Sequence, residues 1–109
     1  MTAHPGLAAG GWSRLTLSAQ LGNVGSEVSR AVRWKERDPE NFDGAMVRAL
    51  ELLDLSISDP RWRDRLKELT RARELLCDAW LGGKEFHTEL KDLDRYFFQF
   101  ALAASAERA

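Results

Sequence analysis

Two Asp-Pro pairs constrain the fold of this chain more than any other feature of its sequence. They are Asp38-Pro39 and Asp59-Pro60. Aspartate accepts hydrogen bonds from the free N–H groups at the start of a helix, and proline suits the first helical position because its missing N–H would be unpaired there. Proline also disfavours helical geometry in the residue before it, so the preceding helix must have ended. Each pair therefore predicts the end of one helix and the start of the next.

Apolar residues recur around these boundaries with the three-to-four-residue period of helices that pack against a core. The first helix is predicted over residues 18–35, with Thr16 or Ser18 as its N-cap, and the second over residues 39–55. The third is predicted over residues 60–81, ended by Gly82-Gly83, and the fourth begins near Thr88. No segment alternates with the period of two that is typical of a strand.

The short connections between the predicted helices favour antiparallel neighbours. We therefore predict an all-α, single-domain, four-helix up-down bundle over residues 14–109. Residues 1–13 are rich in alanine and glycine and show no helical period, so we expect a flexible N-terminal arm there.

The composition favours a soluble, cytoplasmic protein. The 109 residues are 44% hydrophobic and 30% charged, as in ordinary globular domains, and the net charge of −1 gives no overall attraction to nucleic acid or anionic lipid. Cys77 is the only cysteine, which excludes an internal disulfide and fits a reducing compartment. No signal peptide or membrane-spanning run is visible, so we expect no membrane partner, and no motif indicates a cofactor.

Two glycines stand inside the first predicted helix, at Gly22 and Gly25, where each costs about 1 kcal/mol relative to alanine. With Ser18 and Ser29 they form a stripe of small residues on one helix face. Such a stripe lets another helix approach closely, either within this chain or from a second copy. The alternative is a phosphate-binding loop, which is less favoured because the apolar period continues through both glycines.

The fourth helix is apolar around most of its circumference. Phe97 and Phe100 belong to the stripe that faces the core, whereas Phe98 and Leu102 point elsewhere. A helix of this kind must be covered on more than one side, by the arm or by a second subunit. We therefore predict self-association as a homo-oligomer, with a contact surface of Phe98, Leu102 and the small residues Gly22, Gly25 and Ser29.

Glu51 and Asp54 are three residues apart in ELLDL, so both carboxylates lie on one face of the second helix. With LGNVGSEV of the first helix, this pattern resembles the all-α nucleotide pyrophosphatases of the MazG class, in which two carboxylate pairs hold Mg²⁺. The resemblance implies Glu51 and Asp54 as metal candidates and Mg²⁺-dependent nucleotide hydrolysis as an alternative function. Asn23 and Ser26 stand where the first acidic pair would be, and Glu27 is displaced by one residue. The other interpretation is that Glu51 and Asp54 are solvated or ion-paired.

Basic residues are concentrated on two predicted helices, with Arg61 and Arg65 on the third and Arg30 and Arg33 on the first. If they converge, they form a surface suited to RNA. The acidic residues interleaved with them are more typical of a solvated, ion-paired face. The architecture is similar to that of HEPN ribonucleases, but their Arg-then-His signature is missing around His87. Binding of RNA without catalysis is therefore the second alternative.

Longer strings of the sequence resemble an uncharacterised family of small bacterial all-helical proteins. These strings are SAQLGNVGSEVSRAVRW, RALELLDLSISDPRW, RARELLCDAWLGG and YFFQFALAA. The resemblance implies no activity and no residue roles. The sequence thus favours a non-catalytic bundle that binds itself and an unknown protein partner.

Overall fold

The computed structural model describes residues 10–108, which form a bundle of four helices. Helix α1 is Leu17–Trp34, α2 is Pro39–Ile57, α3 is Leu66–Trp80 and α4 is Leu90–Arg108. No strand occurs between residues 10 and 108, and the predicted all-α class is confirmed. Within the same residues, no helix is both long enough and apolar enough to cross a membrane.

Helices α1 and α4 are antiparallel neighbours along their whole length. At one end, the Thr16 hydroxyl donates to Glu107 Oε1 at 2.7 Å, and further along the Ser29 hydroxyl donates to Asp94 Oδ1 at 2.7 Å. The first and last helices of the chain therefore close the bundle, with α2 on the other side of α1.

The two interior glycines lie where α1 meets α4. A Cβ on Gly25 would lie 2.8 Å from Phe97 Cβ, and one on Gly22 would lie 3.1 Å from Ala101 Cα. The sequence allowed the small stripe to pack against a helix of the same chain or of a second copy. In the structure, it packs against α4 of the same chain. Gly25 is buried by this contact, whereas Gly22 remains half-buried.

The predicted helix starts are confirmed at α1 and α2. The Thr16 hydroxyl accepts a hydrogen bond from the N–H of Ala19 at 3.1 Å, and the Asp38 carboxylate accepts one from the N–H of Asn41 at 3.2 Å. Pro39 follows as the first residue of α2. Each cap satisfies a donor that has no partner within the helix.

The predicted third helix was wrong in its first part. Residues Pro60–Arg65 form a 3-10 helix, and α3 begins only at Leu66. Trp62 has non-helical angles, φ −107° and ψ 26°. Its indole N–H donates to Gln20 Oε1 at 2.9 Å, so the backbone bends where this buried partner is reached.

The segment before α1 belongs to the core. Trp12 lies in the 3-10 helix Trp12–Arg14 and is only 3% exposed, among the buried residues of the bundle. The expected flexible arm included Trp12, and this expectation was wrong for residues 10–13. Residues 1–9 of that arm lie outside the described residues.

Gln20 connects four segments of the chain from a fully buried position in α1. Its amide nitrogen donates to Trp12 O at 2.8 Å and to Asp59 Oδ2 at 3.1 Å. Its amide oxygen accepts from the Ser56 hydroxyl at 2.8 Å and from the Trp62 indole at 2.9 Å. All the hydrogen-bonding capacity of one buried amide is thus used to join the N-terminal segment, α1, α2 and the second 3-10 helix.

Asp59 completes this buried network. Its carboxylate accepts from the Arg61 guanidinium at 2.7 Å, and Arg61 also donates to the carbonyl of Leu15 at 2.8 Å. The hydrogen bond from Arg61 is the main cause that lowers the pKa of Asp59 to about 2, against the opposing effect of burial.

Candidate interaction surface

The outer surface of α4 exposes two large apolar side chains where the sequence predicted them. Phe98 is 59% exposed and Leu102 is 58% exposed. They are four residues apart and therefore adjacent on the helix surface. Their neighbour Phe97 is fully buried and fills the core against Gly25. The structure thus separates one core phenylalanine from one that meets solvent.

A shallow groove of about 380 Å³ runs beside Phe98, between α4 and α1. Small residues of α1, among them Gly22 and Ser26, form one wall, and Phe98 and Ala101 form the other. We call the exposed pair Phe98 and Leu102, together with this groove, the α4 face. Ser29 lies on it, but its hydroxyl is already bonded to Asp94.

The four arginines predicted as a nucleic-acid surface do not converge. Arg61 reaches the carbonyl of Leu15, just before α1 begins, whereas Arg30 and Arg33 lie near its other end. The rise of 1.5 Å per helical residue separates these positions by roughly 25 Å. Arg61 therefore does not share one basic patch with Arg30 and Arg33.

Three of these arginines are also held in ion pairs. Arg61 pairs with Asp59 at 2.7 Å, Arg65 pairs with Glu68 at 2.5 Å, and Arg30 pairs with Glu27. This is the ion-paired face that the interleaved acidic residues indicated.

The carboxylates considered for magnesium are engaged elsewhere. Asp54 Oδ1 accepts a hydrogen bond from Arg73 Nε at 2.7 Å, and this contact joins α2 to α3. Glu51 lies one turn before Asp54 on the same face of α2. Glu27 is 3% exposed and is bound by Arg30 and by Arg48, whose Nε lies 2.6 Å from Glu27 Oε2. Among residues 10–108, no group of three or more acidic, histidine or cysteine side chains is arranged to hold a metal ion.

Glu27, which the resemblance to the MazG class marks as a displaced ligand, is instead a buried and paired residue of the helix packing. Because a buried carboxylate is stable only when it is paired and hydrogen-bonded, the two arginines make its burial between α1 and α2 tolerable. No periodicity signal shows this, since Arg48 is distant in sequence.

A second, more apolar groove lies between α3 and α4. It has a volume of about 500 Å³, with Leu75, Leu93 and Phe86 among its lining residues. At one end the Tyr96 hydroxyl donates to Glu68 Oε2 at 2.5 Å. Burial and this hydrogen bond raise the pKa of Tyr96. Burial acts to raise the pKa of Glu68 as well, but hydrogen bonds from Tyr96 and Arg65 outweigh it and lower that pKa overall.

The connection from α3 to α4 is organised by one carboxylate. Asp78 is buried and accepts hydrogen bonds from three backbone N–H groups, those of Glu85 at 2.9 Å, Phe86 at 3.2 Å and Thr88 at 3.0 Å. Burial acts to raise the pKa of Asp78, and these hydrogen bonds lower it overall. Asp78 therefore has a structural role, because it fixes the backbone of the connection between α3 and α4.

A cleft of about 590 Å³ lies at the end of the bundle where α1 stops and α4 starts. It is lined by four basic side chains, two acidic ones and five uncharged residues, which come from α1 and from around the end of α3 and the start of α4. The basic side chains are those of Arg33, Lys35, Arg37 and Lys91, and the acidic ones are those of Glu36 and Glu89. We call this the basic cleft. Of the predicted nucleic-acid residues, only Arg33 lines it.

Comparison of the chain with models of known protein families, with curated proteins and with solved structures finds no match. The function must therefore be argued from the surfaces described above.

Proposed function

We propose that this protein is a non-catalytic helical bundle that acts through protein–protein interaction, and that its first partner is a second copy of itself bound at the α4 face. The observation that carries the proposal is the exposure of Phe98 and Leu102, which are adjacent on α4 and more than half exposed. Aromatic side chains presented in this way are typical anchors of protein interfaces.

The shape of the α4 face favours a second copy as the occupant. Phe98 projects beside a groove whose opposite wall is made of Gly22 and Ser26. A two-fold interface brings the same surface of both copies together, so Phe98 of each copy meets the groove of the other. A bulky side chain and a small-residue groove on one face are therefore self-complementary.

The charges around the groove support the same arrangement. Arg30 and Arg33 lie on the α1 side and Asp94 lies on the α4 side. The α4 face thus carries both positive and negative side chains. In a two-fold dimer, the arginines of one copy can therefore lie opposite the aspartate of the other. Such a polar rim around an apolar centre is the usual anatomy of an interface.

The enzymatic alternative has less support. Hydrolysis assisted by Mg²⁺ needs several carboxylate oxygens directed at one point. Asp54 is bound to Arg73, and Glu27 is bound to Arg30 and Arg48. The proposal of a binding function is consistent with these pairings, since they use the carboxylates to hold helices together.

The test is the solution mass at increasing protein concentration, measured by sedimentation equilibrium on the wild type and on Phe98→Glu. We expect a dimer for the wild type and a dissociation constant at least about tenfold higher for Phe98→Glu, since a buried charge at an interface centre is strongly disfavoured. Val47→Glu is the matched control, because Val47 is a 42% exposed apolar residue on α2.

Two results would contradict the proposal. One is a wild-type protein that remains monomeric at high micromolar concentration. The other is an equal weakening by Phe98→Glu and Val47→Glu, which would show that general surface hydrophobicity, and not the α4 face, causes association.

A further inference from the structure

The basic cleft gathers four cationic side chains that form no ion pair with any residue between 10 and 108. Seven ion pairs occur among residues 10–108, and they use arginines elsewhere on the surface. None of the four basic side chains of the cleft takes part in them. The chain as a whole has a net charge of −1, so this concentration of positive charge does not follow from its composition.

Like charges that converge on one concave surface repel each other, and without a counterion they reduce stability. The two carboxylates of the cleft, Glu36 and Glu89, offset only part of that charge. Within the described part of the chain, ion pairs are common elsewhere on the surface, but none involves these four side chains. An anionic ligand would supply the missing partner.

The donor chemistry of the cleft matches phosphate. Arg33 and Arg37 carry planar guanidinium groups that bind phosphate oxygens in pairs, and Lys35 and Lys91 supply compact charges on flexible stems. Helix α4 begins at Leu90, which also lines the cleft, so the positive end of the helix dipole lies beside these side chains. Several donors from α1, the following turn and α4 thus face one volume.

We propose that the basic cleft binds a small molecule that carries two or more phosphate groups, such as a free polyphosphate or the polyphosphate chain of a nucleotide. The volume of about 590 Å³ lies within the range of small-molecule sites. A strand of nucleic acid needs an extended basic track, and the arginines that could continue one are ion-paired or at the other end of the bundle.

This site is distinct from the α4 face, although Arg33 lines both. Lys35 and Lys91 are exposed, and they line the basic cleft but not the groove of the α4 face. Replacing them tests the cleft without altering the proposed dimer surface. The solution mass measured on the same variants keeps the two proposals separate.

The experiment is a titration of the uniformly ¹⁵N-labelled 109-residue chain with inorganic tripolyphosphate at low salt, followed by amide chemical shifts. We expect saturable shifts concentrated in residues 32–37 and 79–91. The double variant Lys35→Glu with Lys91→Glu should raise the dissociation constant at least about tenfold, since it reverses half of the cationic donors. Lys35→Ala with Lys91→Ala should give a smaller loss in the same direction.

The charge-matched control is Arg63→Glu with Lys67→Glu. Both residues are exposed, lie outside the cleft and form none of the seven ion pairs, so the change in net charge is the same. We expect the dissociation constant of this variant to stay within about twofold of the wild type.

Three outcomes would overturn the proposal. Equal weakening in the cleft variant and the control would show non-specific attraction. Shifts spread over the whole surface, or no shifts, would show that no site exists. An RNA oligonucleotide that binds at the cleft more than about tenfold tighter than tripolyphosphate would assign it to nucleic acid instead.

Discussion

Replacing Gly25 by alanine should destabilise the bundle, although alanine is the better helix former. The added Cβ would lie 2.8 Å from Phe97 Cβ and 3.4 Å from the Phe97 carbonyl carbon. Neither atom is the far end of a flexible side chain, so no rotamer change removes the overlap. Helices α1 and α4 must move apart to accept the methyl group.

The size of the effect follows from two opposing terms. Ordinary contact begins near 3.4 Å, so the helices must separate locally by about 0.6 Å. Overpacking of this kind typically costs about 1–3 kcal/mol. The higher helix propensity of alanine stabilises the fold by about 1 kcal/mol and so offsets part of this cost. We expect Gly25→Ala to lower the free energy of unfolding by about 0–2 kcal/mol.

Gly44→Ala isolates the steric term because the propensity gain is common to both variants. Gly44 lies within α2, and the nearest atom to its Cβ is Nη1 of Arg48 at 3.2 Å. This terminal nitrogen of a long side chain can shift by a few tenths of an ångström while Arg48 Nε stays bonded to Glu27. We therefore expect Gly44→Ala to be stabilising by about 1 kcal/mol. Urea unfolding followed by circular dichroism should separate the two variants by about 1–3 kcal/mol. Equal stability of Gly25→Ala and Gly44→Ala would refute the close-packing explanation of the glycines.

Two further predictions concern the buried network. Gln20→Leu should lower the free energy of unfolding by about 2–4 kcal/mol, because it leaves the buried Ser56 hydroxyl and the Trp62 indole without their acceptor. A free energy of unfolding in urea within about 0.5 kcal/mol of the wild-type value would contradict this. Because the pKa of Asp59 is lowered to about 2 from 3.8, its charged form stabilises the fold above pH 3.8 and this contribution is lost as the pH falls towards 2. Melting temperatures should show the wild type converging on Asp59→Asn over that interval, and a constant difference between them would disprove the role of the charge.

The helical architecture was predictable because it depends on signals that are local in sequence. The Asp38-Pro39 pair marks a boundary through cap chemistry alone, and the structure places α2 as that pair requires. The start of α3 was not predictable in the same way. Asp59-Pro60 does begin a helical segment, but Trp62 leaves helical geometry to reach Gln20, which lies in another helix.

The polar residues that hold the core together were not predictable, for the same reason. Gln20 and Glu27 interrupt the apolar pattern of α1, and pattern alone assigns such residues to solvent. Their partners, among them Asp59 and Arg48, are distant along the chain. The surface positions Phe98 and Leu102 were placed correctly, because their exposure depends only on their position relative to the Phe97 stripe.

The pairing of α1 with α4 has a consequence for how the molecule is made. The contacts of Thr16 with Glu107 and of Gly25 with Phe97 join residues that are synthesised early and late. As α1, α2 and α3 leave the ribosome, the glycine side of α1 has no covering helix, and the native core around Phe97 does not yet exist. Local helices form within microseconds, but this closure waits for translation to reach the last turns of α4. Folding of this small domain is therefore expected to be completed after synthesis of α4 rather than progressively along the nascent chain.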